Sequence, residues 1–347
     1  MKAVVCRGFG LAHTSIEETA APELSPDGVR IAIHAAGVSF ANLLVIDGRH
    51  QNRWEPPFTP GTEVAGVVME CGPEVTLIRP GQRVVAGVRT GGYAEEVVAP
   101  ESNVFVLPDG IDFDAAVHFP TIYSTAYGAL AWRARLQAGE TLLVHGAAGG
   151  SGLAAVEIGK QLGATVIATA GSAAKLDAAR AHGADHLVDY SQGGFRDAVL
   201  GLTSGRGADV IFDPVGGSVT DESLRCIAPE GRLIPMGFAG GTIPSLPANI
   251  LLVKNITVIG IYWGYYMGWA RQPALPTTPA KVRNAFAQLF EWTLQGALRP
   301  RTQSAFTLGQ FREALQEISS RHVIGRAVLH PWAADCSPHT LNKGDIK

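Results

Sequence analysis

The chain has 347 residues, of which 17% are charged, and its formal net charge is −3. This length exceeds that of the usual single hydrophobic core, so two domains are expected. A nearly balanced charge without a basic cluster argues against nucleic-acid binding. The four cysteines are widely separated with no C-x-x-C pair, which argues against a disulfide framework or a zinc knuckle. Neither a signal peptide nor an apolar run of about 18 residues is seen, so a soluble cytoplasmic protein with no membrane partner is expected.

Short β-branched runs separated by Gly and Pro fill roughly the first third of the chain. They predict strands at 29–35, 63–70, 83–88, 95–100 and 104–107. Runs of this kind, without helical patterns between them, are typical of a small rolled β domain.

From about Ile122 to Ile261 the pattern changes to alternating helices and strands, which is typical of an α/β domain. Strands are predicted at 141–144, 164–170, 186–189, 208–212, 231–236 and 256–261. An aromatic stretch then leads into a helix near 279–295, a helix beginning near Gln310 and a final strand at 325–330.

The segment at 144–152 reads VHGAAGGSG and places Gly146, Gly149 and Gly152 three residues apart. Alone it is a weak signal, because 41 residues of the chain are glycine. It lies, however, between a predicted buried strand and a helix at 153–162, and a second strand follows. In such a unit the glycines let the main chain approach a pyrophosphate, and the helix N-terminus offers unpaired N–H groups. The motif in this context predicts a dinucleotide-binding domain rather than a plain turn.

The residues beyond the glycines indicate which dinucleotide is bound. In an NAD site, an Asp or Glu about 20 residues beyond the glycines accepts hydrogen bonds from the adenosine ribose hydroxyls. The second strand instead ends before Ser172, Lys175 follows one turn later, and Tyr190 comes after the next strand. A lysine attracts a 2′-phosphate and an acid repels it, so the sequence favours NADPH. The alternative is an ordinary surface helix with a solvated lysine.

Several longer segments resemble the medium-chain dehydrogenase/reductase superfamily, and most closely its zinc-free quinone oxidoreductase branch of the ζ-crystallin type. The segments are AAGVSFANLL (35–44), PGTEVAGVV (60–68), TAYGAL (125–130), VHGAAGGSGLAAVEIGKQLGA (144–164) and DPVGG (213–217). The resemblance implies an α/β fold with two domains. A GroES-like β domain would span 1–121 and be completed by 265–347, and a Rossmann domain with a doubly wound parallel sheet would span 122–264.

Zinc ligands of the superfamily are replaced in this chain. Ser39 stands where the zinc alcohol dehydrogenases have a cysteine, and Thr62 stands where they have a histidine. Hydroxyls are poor Zn²⁺ ligands beside thiolate and imidazole, so no metal is expected. Isolated histidines are more often packed or solvated side chains than metal ligands, so they are not expected to replace the missing zinc ligands. These histidines are His34, His50, His118 and His145.

Without zinc there is no Lewis acid to polarise a simple ketone. The hydride acceptor must then spread the resulting charge itself, as quinones and α,β-unsaturated carbonyls do. We therefore expect an NADPH-dependent quinone or activated-alkene reductase. Two alternatives are an enoyl-thioester reductase, which would need a basic entrance that the sequence does not show, and a protein that binds NADPH without turnover.

The resemblance also implies roles for individual residues. Asn42, where the family usually has aspartate, would lie near the nicotinamide and the substrate mouth, and Thr125 would contact the nicotinamide ribose or ring. Arg326 would reach a phosphate. The remaining cofactor contacts would come from the glycine loop and from the loops after later strands, namely Gly146, Ala148, Gly149, Gly150, Ser151, Gly152, Val215, Gly216, Phe238 and Ala239.

The aromatic stretch has two open interpretations. Tyr262, Trp263 and Tyr265 would either wall a flat apolar substrate pocket or lie at a dimer interface. The preceding strand, 256–261, is apolar on both faces and comes last in the Rossmann region, so it is expected at a sheet edge. Pairing that edge with a second copy would protect it, which predicts a homodimer.

Overall fold

The computed structural model describes residues 1–191, 193–320 and 323–332. The chain divides into two compact units. Unit 1 comprises Met1–Thr121, Gly264–Leu294 and Pro300–Lys347, although 321–322 and 333–347 lie outside the described residues. Unit 2 comprises Ile122–Trp263 and Gln295–Arg299. Among the described residues, no helix is long and apolar enough to cross a membrane.

Strands dominate the first third of the chain, and from β8 onward they alternate with helices. In chain order they are β1 (Lys2–Cys6), β2 (Thr14–Glu18), β3 (Gly28–Val38), β4 (Glu63–Cys71), β5 (Arg83–Gly87), β6 (Glu96–Pro100), β7 (Val104–Val106), β8 (Thr141–Val144), β9 (Thr165–Ala170), β10 (His186–Asp189), β11 (Ala208–Asp213), β12 (Ile227–Pro235), β13 (Thr257–Val258), β14 (Thr302–Thr307) and β15 (Arg326–His330).

The helices concentrate in unit 2 and in the second half of the chain. The α-helices are α1 (Phe40–Ile46), α2 (Phe113–Ala116), α3 (Ser124–Tyr127), α4 (Gly150–Gln161), α5 (Ala173–Ala181), α6 (Arg196–Leu202), α7 (Ser218–Cys226), α8 (Ala248–Lys254), α9 (Trp263–Tyr266), α10 (Thr278–Leu294) and α11 (Phe311–Ser319). Short 3₁₀ turns lie at Leu11–His13, Glu101–Asn103 and Leu308–Gln310, and π-helical turns at Phe119–Tyr123 and Gly128–Ala134.

Unit 2 is built on a six-stranded sheet in the order β10-β9-β8-β11-β12-β13, and its pairings are parallel. The order runs outward in both directions from β8 and β11, which is the doubly wound arrangement predicted from the sequence. In such sheets ligands bind outside the carboxyl ends of the strands where the order reverses. The fully buried core includes Leu143, Ile167, Ile211 and Leu233 from four neighbouring strands.

Unit 1 contains a seven-stranded sheet and a separate β1-β2 hairpin. The long strand β3 is its centre, because it pairs with β4, β6 and β15. The last strand of the chain thereby returns to the N-terminal region, as the family resemblance implied. Apolar residues alternate into the core along β3, where Val29, Ile31 and Ile33 are buried.

Three elements differ from the sequence expectation. Helix α4 begins at Gly150 rather than Leu153. The prediction missed its first turn because the residues there have low intrinsic helix propensity. Strand β12 begins before 231, at Ile227, and runs through an irregular step at Glu230, whose φ is 61°. The predicted strand at 256–261 pairs only over Thr257–Val258, at the edge of the sheet. Residues 295–299, expected in the first domain, belong to unit 2.

Candidate active site

The glycine loop occupies the turn between β8 and α4, at the point where the strand order reverses. Gly149 is the N-cap of α4 and is exposed, and no side chain caps the helix there. The first N–H groups of the helix are therefore left for a ligand. Ala148 is buried beneath the loop, while Gly150 and Ser151 are half-buried in the first turn.

Two of the loop glycines are required by the backbone itself. Gly146 has a φ of +55°, which side chains rarely adopt. A Cβ on Gly152 would collide with the carbonyl oxygen of Gly146 and lie 2.7 Å from Ala147 Cα. The glycine loop thus folds back tightly on the start of α4.

A second group of residues follows β9 and β10. Ser172 is the exposed N-cap of α5 and its side chain makes no capping bond. Lys175 is half-buried in the first turn of the same helix. The ring of Tyr190, 38% exposed, lies against Gly171, where an added Cβ would come within 3.1 Å of Tyr190 Cε2. No acid follows β9 directly, and the nearest carboxylate on the next strand, Asp189, accepts a hydrogen bond from Ser191 N at 2.8 Å.

The loop after β11 is held by a buried carboxylate that sequence reasoning did not single out. Asp213 Oδ1 accepts hydrogen bonds from the backbone N–H groups of Val215, at 2.8 Å, and Gly216, at 3.0 Å. Gly216 has a φ of +75°, so the turn needs glycine. The signal was present in the quoted segment DPVGG, whose first residue is this aspartate.

The loop after β12 is bonded to the loop after β11. Ala239 N donates to Pro214 O at 3.1 Å, and Gly240 N donates to Val215 O at 2.8 Å. Phe238 remains 42% exposed, with its Cα close to Gly216. The structure therefore brings Val215, Gly216, Phe238 and Ala239 together at the carboxyl edge of unit 2.

His145 lies beneath this edge and is fully buried. Its Nδ1 is 2.9 Å from Thr169 Oγ1, its Nε2 is 2.8 Å from Ser223 Oγ, and the ring of Phe195 lies 4.5 Å away. Burial lowers the pKa of His145 to about 4, against a smaller opposing effect of Asp213. The imidazole is therefore neutral near pH 7.

In unit 1, Asn42 lies on α1 within a buried polar network. The Ser39 hydroxyl donates to Asn42 Oδ1 at 2.5 Å, and Asn42 Nδ2 donates to Tyr93 Oη at 3.0 Å. Asn42 is 1% exposed, so its carboxamide is committed to these partners. Asn42 therefore orients Ser39 and Tyr93, and its expected place near the nicotinamide and the substrate mouth stays a prediction.

Arg326 does not offer its guanidinium to a phosphate, which corrects its expected role. It is 1% exposed, forms an ion pair with Glu63, and donates to Val38 O at 3.1 Å and Val117 O at 2.9 Å. Burial raises the pKa of Glu63, and Arg326 opposes that shift. The pair joins β15 to β4 inside unit 1 and leaves no face of the cation for a ligand.

The two positions that hold zinc ligands in the zinc alcohol dehydrogenases serve other roles here. Ser39 is the N-cap of α1. The Thr62 hydroxyl donates to Glu63 at 3.4 Å. Within the described ranges, no group of three or more His, Cys, Asp or Glu side chains could hold a metal ion. Two hydroxyls already engaged in this way do not form a zinc site.

Thr125 lies on α3, between the two π-helical turns, and is half-buried. Such turns often occur at functional sites. Trp263, predicted to line either a substrate pocket or a dimer interface, is instead 4% exposed, packs on Gly128 and stacks on Trp132 at 5.5 Å. Its role in unit 2 is packing, which corrects that expectation.

The two tyrosines of the aromatic stretch that were proposed to contact substrate are both accessible to some extent. Tyr262 is exposed and Tyr265 is half-buried. The ring of Tyr265 meets that of Tyr266 edge to face at 5.3 Å. Their proposed contact with substrate stays a prediction.

Two family models match the chain, one over each half of the predicted organisation. The model described as alcohol dehydrogenase GroES-like domain matches residues 25–109. The model described as zinc-binding dehydrogenase matches residues 150–277. The GroES-like assignment of the β domain is thereby confirmed, together with the dehydrogenase character of the parallel-sheet domain.

Relatives and solved structures match over nearly the whole chain. Quinone oxidoreductase-like protein 2 of Bos taurus is 38% identical, over 90% of this chain and 88% of that protein. A probable oxidoreductase from Mycobacterium abscessus is 35% identical, with a TM-score of 0.84 over 95% of this chain and 99% of that chain. The Escherichia coli quinone oxidoreductase complexed with NADPH is 25% identical, with a TM-score of 0.87 over 95% of this chain and 100% of that chain.

Proposed function

This chain belongs to the quinone oxidoreductase type of the medium-chain dehydrogenases/reductases, and we propose that it is an NADPH-dependent reductase of quinones and activated alkenes. The observation that carries the proposal is the carboxyl edge of the parallel sheet, where the glycine loop, Ser172, Lys175 and Tyr190 follow three adjacent strands. The edge combines an uncapped helix N-terminus with Lys175, and Asp189, which ends β10, turns its carboxylate to the N–H of Ser191.

The residues present fit the two phosphate regions of NADPH. The backbone N–H groups at the start of α4 would hold the pyrophosphate, and Gly149 leaves room for its approach. Lys175 would pair with the 2′-phosphate, Ser172 would donate a hydrogen bond to it, and Tyr190 would cover the adenine side. The NADPH complex of the E. coli relative supports this choice of cofactor.

Bound NADPH supplies a hydride, and the protein's own residues would orient the reactants around it. Asp213 preorganises Val215 and Gly216, which in turn hold the loop carrying Phe238 and Ala239. Thr125 would contact the nicotinamide ribose, and exposed Phe238 would exclude water from the cofactor face. Tyr262 would present its ring and hydroxyl to a flat acceptor.

The donor chemistry at positions 39 and 62 supports the proposed class of acceptor. Two engaged hydroxyls provide no Lewis acid, so the acceptor must delocalise the charge that hydride transfer creates. Hydride addition to the β carbon of an enone gives an enolate, and addition to a quinone gives a phenolate. Both products are stabilised without a metal, which favours these acceptors over simple ketones.

We further propose that the protein is a cytoplasmic homodimer. The described cysteines Cys6, Cys71 and Cys226 are free, which suits a reducing compartment. Strand β13 is an edge strand of the parallel sheet, and a second copy paired with it about a two-fold axis would cover that edge.

A panel of acceptors tests the activity. Purified protein is mixed with NADPH or NADH and with a quinone, an enone or an enoyl-CoA thioester, and the loss of reduced-cofactor absorbance is followed. We expect turnover with NADPH and the quinone or enone. Turnover confined to the enoyl thioester would favour the enoyl reductase alternative, and tight NADPH binding without any turnover would favour a non-catalytic protein.

A further inference from the structure

His145 has a defined protonation state that follows from its hydrogen bonds. The Ser223 hydroxyl donates to Val219 O at 2.7 Å, so its oxygen accepts the proton on His145 Nε2. The bare Nδ1 then accepts from the Thr169 hydroxyl at 2.9 Å. The neutral ring is therefore both donor and acceptor, and a second proton on Nδ1 would reverse that bond, so that the Thr169 hydroxyl would have to rotate and accept.

The two bonds of the imidazole join the carboxyl ends of β8 and β9 to helix α7. His145 directly precedes the glycine loop, Thr169 is the penultimate residue of β9 before Ser172, and Ser223 lies on α7 after the Asp213 loop. Backbone bonds reinforce the same junction, since Ala147 N donates to Thr169 O and His145 N donates to Phe212 O. The ring thus connects the starts of the loops after β8 and β9 with the helix that follows the Asp213 loop.

The junction is buried from solvent. His145, Thr169 and Ser223 are all buried, and the Phe195 ring covers the imidazole. Water cannot readily replace a bond lost there, so removing the ring's polar atoms leaves buried hydroxyls unsatisfied. The loops would relax to restore those bonds, and their relative spacing at the cofactor edge would change.

We propose that His145 is a positioning residue for NADPH, fixing the spacing between the pyrophosphate loop and the 2′-phosphate residues without touching the cofactor. The inference rests on the proposed NADPH-dependent function. It predicts that breaking the junction affects cofactor affinity more than quinone recognition, because the junction lies under the cofactor loops of unit 2.

The test compares His145→Phe and Thr169→Val with the matched control Thr203→Val. The Thr203 hydroxyl is also hydrogen-bonded within unit 2, donating to Val199 O at 2.8 Å and Leu200 O at 3.3 Å and accepting from Gly207 N at 2.9 Å, but it lies near the amino end of β11. NADPH dissociation constants are measured by fluorescence titration, thermal midpoints by calorimetry, and quinone KM at saturating NADPH.

We expect His145→Phe to raise the NADPH dissociation constant about tenfold and Thr169→Val several-fold, as loss of buried hydrogen bonds at the junction would do. Quinone KM should stay within about twofold for both. His145→Gln retains a donor for Ser223 and should recover part of the affinity. Thr203→Val should lower the thermal midpoint without changing NADPH affinity.

The inference is overturned if His145→Phe and Thr169→Val lower the thermal midpoint but bind NADPH as the wild type does. Should His145→Phe fail to fold, Thr169→Val and Ser223→Ala decide the question by the same comparison. Wild-type protein that binds neither NADPH nor NADH would instead overturn the proposed function, and that result is separate from the comparison among variants.

Discussion

Replacing Gly149 by alanine isolates the phosphate-binding role of the glycine loop. Gly149 has φ −74° and ψ 165°, which alanine adopts freely, and an added Cβ meets only Gly146 O at 3.5 Å. The fold should therefore lose about 1 kcal/mol or less. The methyl group would nevertheless stand at the open N-terminus of α4, where the pyrophosphate would approach. Loss of a charge-assisted hydrogen bond costs about 1.5 to 3 kcal/mol, or about ten- to a hundredfold in NADPH affinity.

Gly152→Ala provides the contrast, because its methyl group has no room. Its Cβ would overlap the Gly146 carbonyl and lie 2.7 Å from Ala147 Cα, and both obstacles are backbone atoms. Overpacking of this kind costs about 1 to 3 kcal/mol or more. This variant should lose both thermal stability and NADPH affinity.

Gly201→Ala is the control, since it lies within α6 and an added Cβ there meets nothing within 4 Å. It should raise stability by about 0.5 to 1 kcal/mol and leave NADPH affinity unchanged. The assay is calorimetry and fluorescence titration on all three variants. If Gly149→Ala bound NADPH as the wild type does, the phosphate-cradle argument would be refuted.

The remaining predictions address the 2′-phosphate, the metal, pH and assembly. Lys175→Ala should weaken NADPH binding about ten- to a hundredfold and leave NADH nearly unchanged; equal weakening in titrations of both cofactors would contradict the 2′-phosphate assignment. Because Ser39 and Thr62 hydroxyls replace zinc ligands, elemental analysis should find no stoichiometric zinc and activity should persist in chelator; one zinc per chain would contradict this. The folded-state pKa of His145, about 4, lies below its ordinary value of 6.5, so the unfolded chain binds the extra proton first. The contribution of neutral His145 to the free energy of unfolding is full well above pH 6.5 and declines by about 3 kcal/mol as the pH falls to 4. His145→Phe should flatten the dependence of the free energy of unfolding on pH between 6.5 and 4. An unchanged slope in that range would contradict the low pKa of His145. Val258→Pro removes a donor from edge strand β13 and should give monomer or aggregate with reduced quinone turnover; a fully active monomer by light scattering would contradict the dimer.

Most of the architecture is predictable because the local signals are strong and agree with one another. The bounds of β8 and β10 match the sequence expectation, since each apolar run ends in polar or turn-forming residues. The edge position of β13 also followed from its place in the chain. Its short length did not, because the chain leaves the sheet near Gly260, where Arg133 bonds the backbone carbonyl.

The candidate site was predictable where function depends on main-chain geometry and not where it depends on distant partners. Gly146 and Gly152 are required by local backbone, so the motif and its neighbouring strand and helix located them. Arg326 was wrongly assigned to a phosphate because its partner, Glu63, is 263 residues away in the sequence. The role of His145 was invisible for the same reason, since its partners are 24 and 78 residues away.

Hydride transfer from NADPH without a metal is the central claim, and a primary kinetic isotope effect tests it most directly. Chelator-treated protein is mixed in a single turnover with NADPH carrying deuterium at C4, in each stereochemical form, and with a quinone or an enone. We predict slower cofactor oxidation with one of the two deuterated forms, at a rate that added zinc does not change. Oxidation that requires zinc, or bound NADPH that no quinone or enone oxidises, would contradict the account.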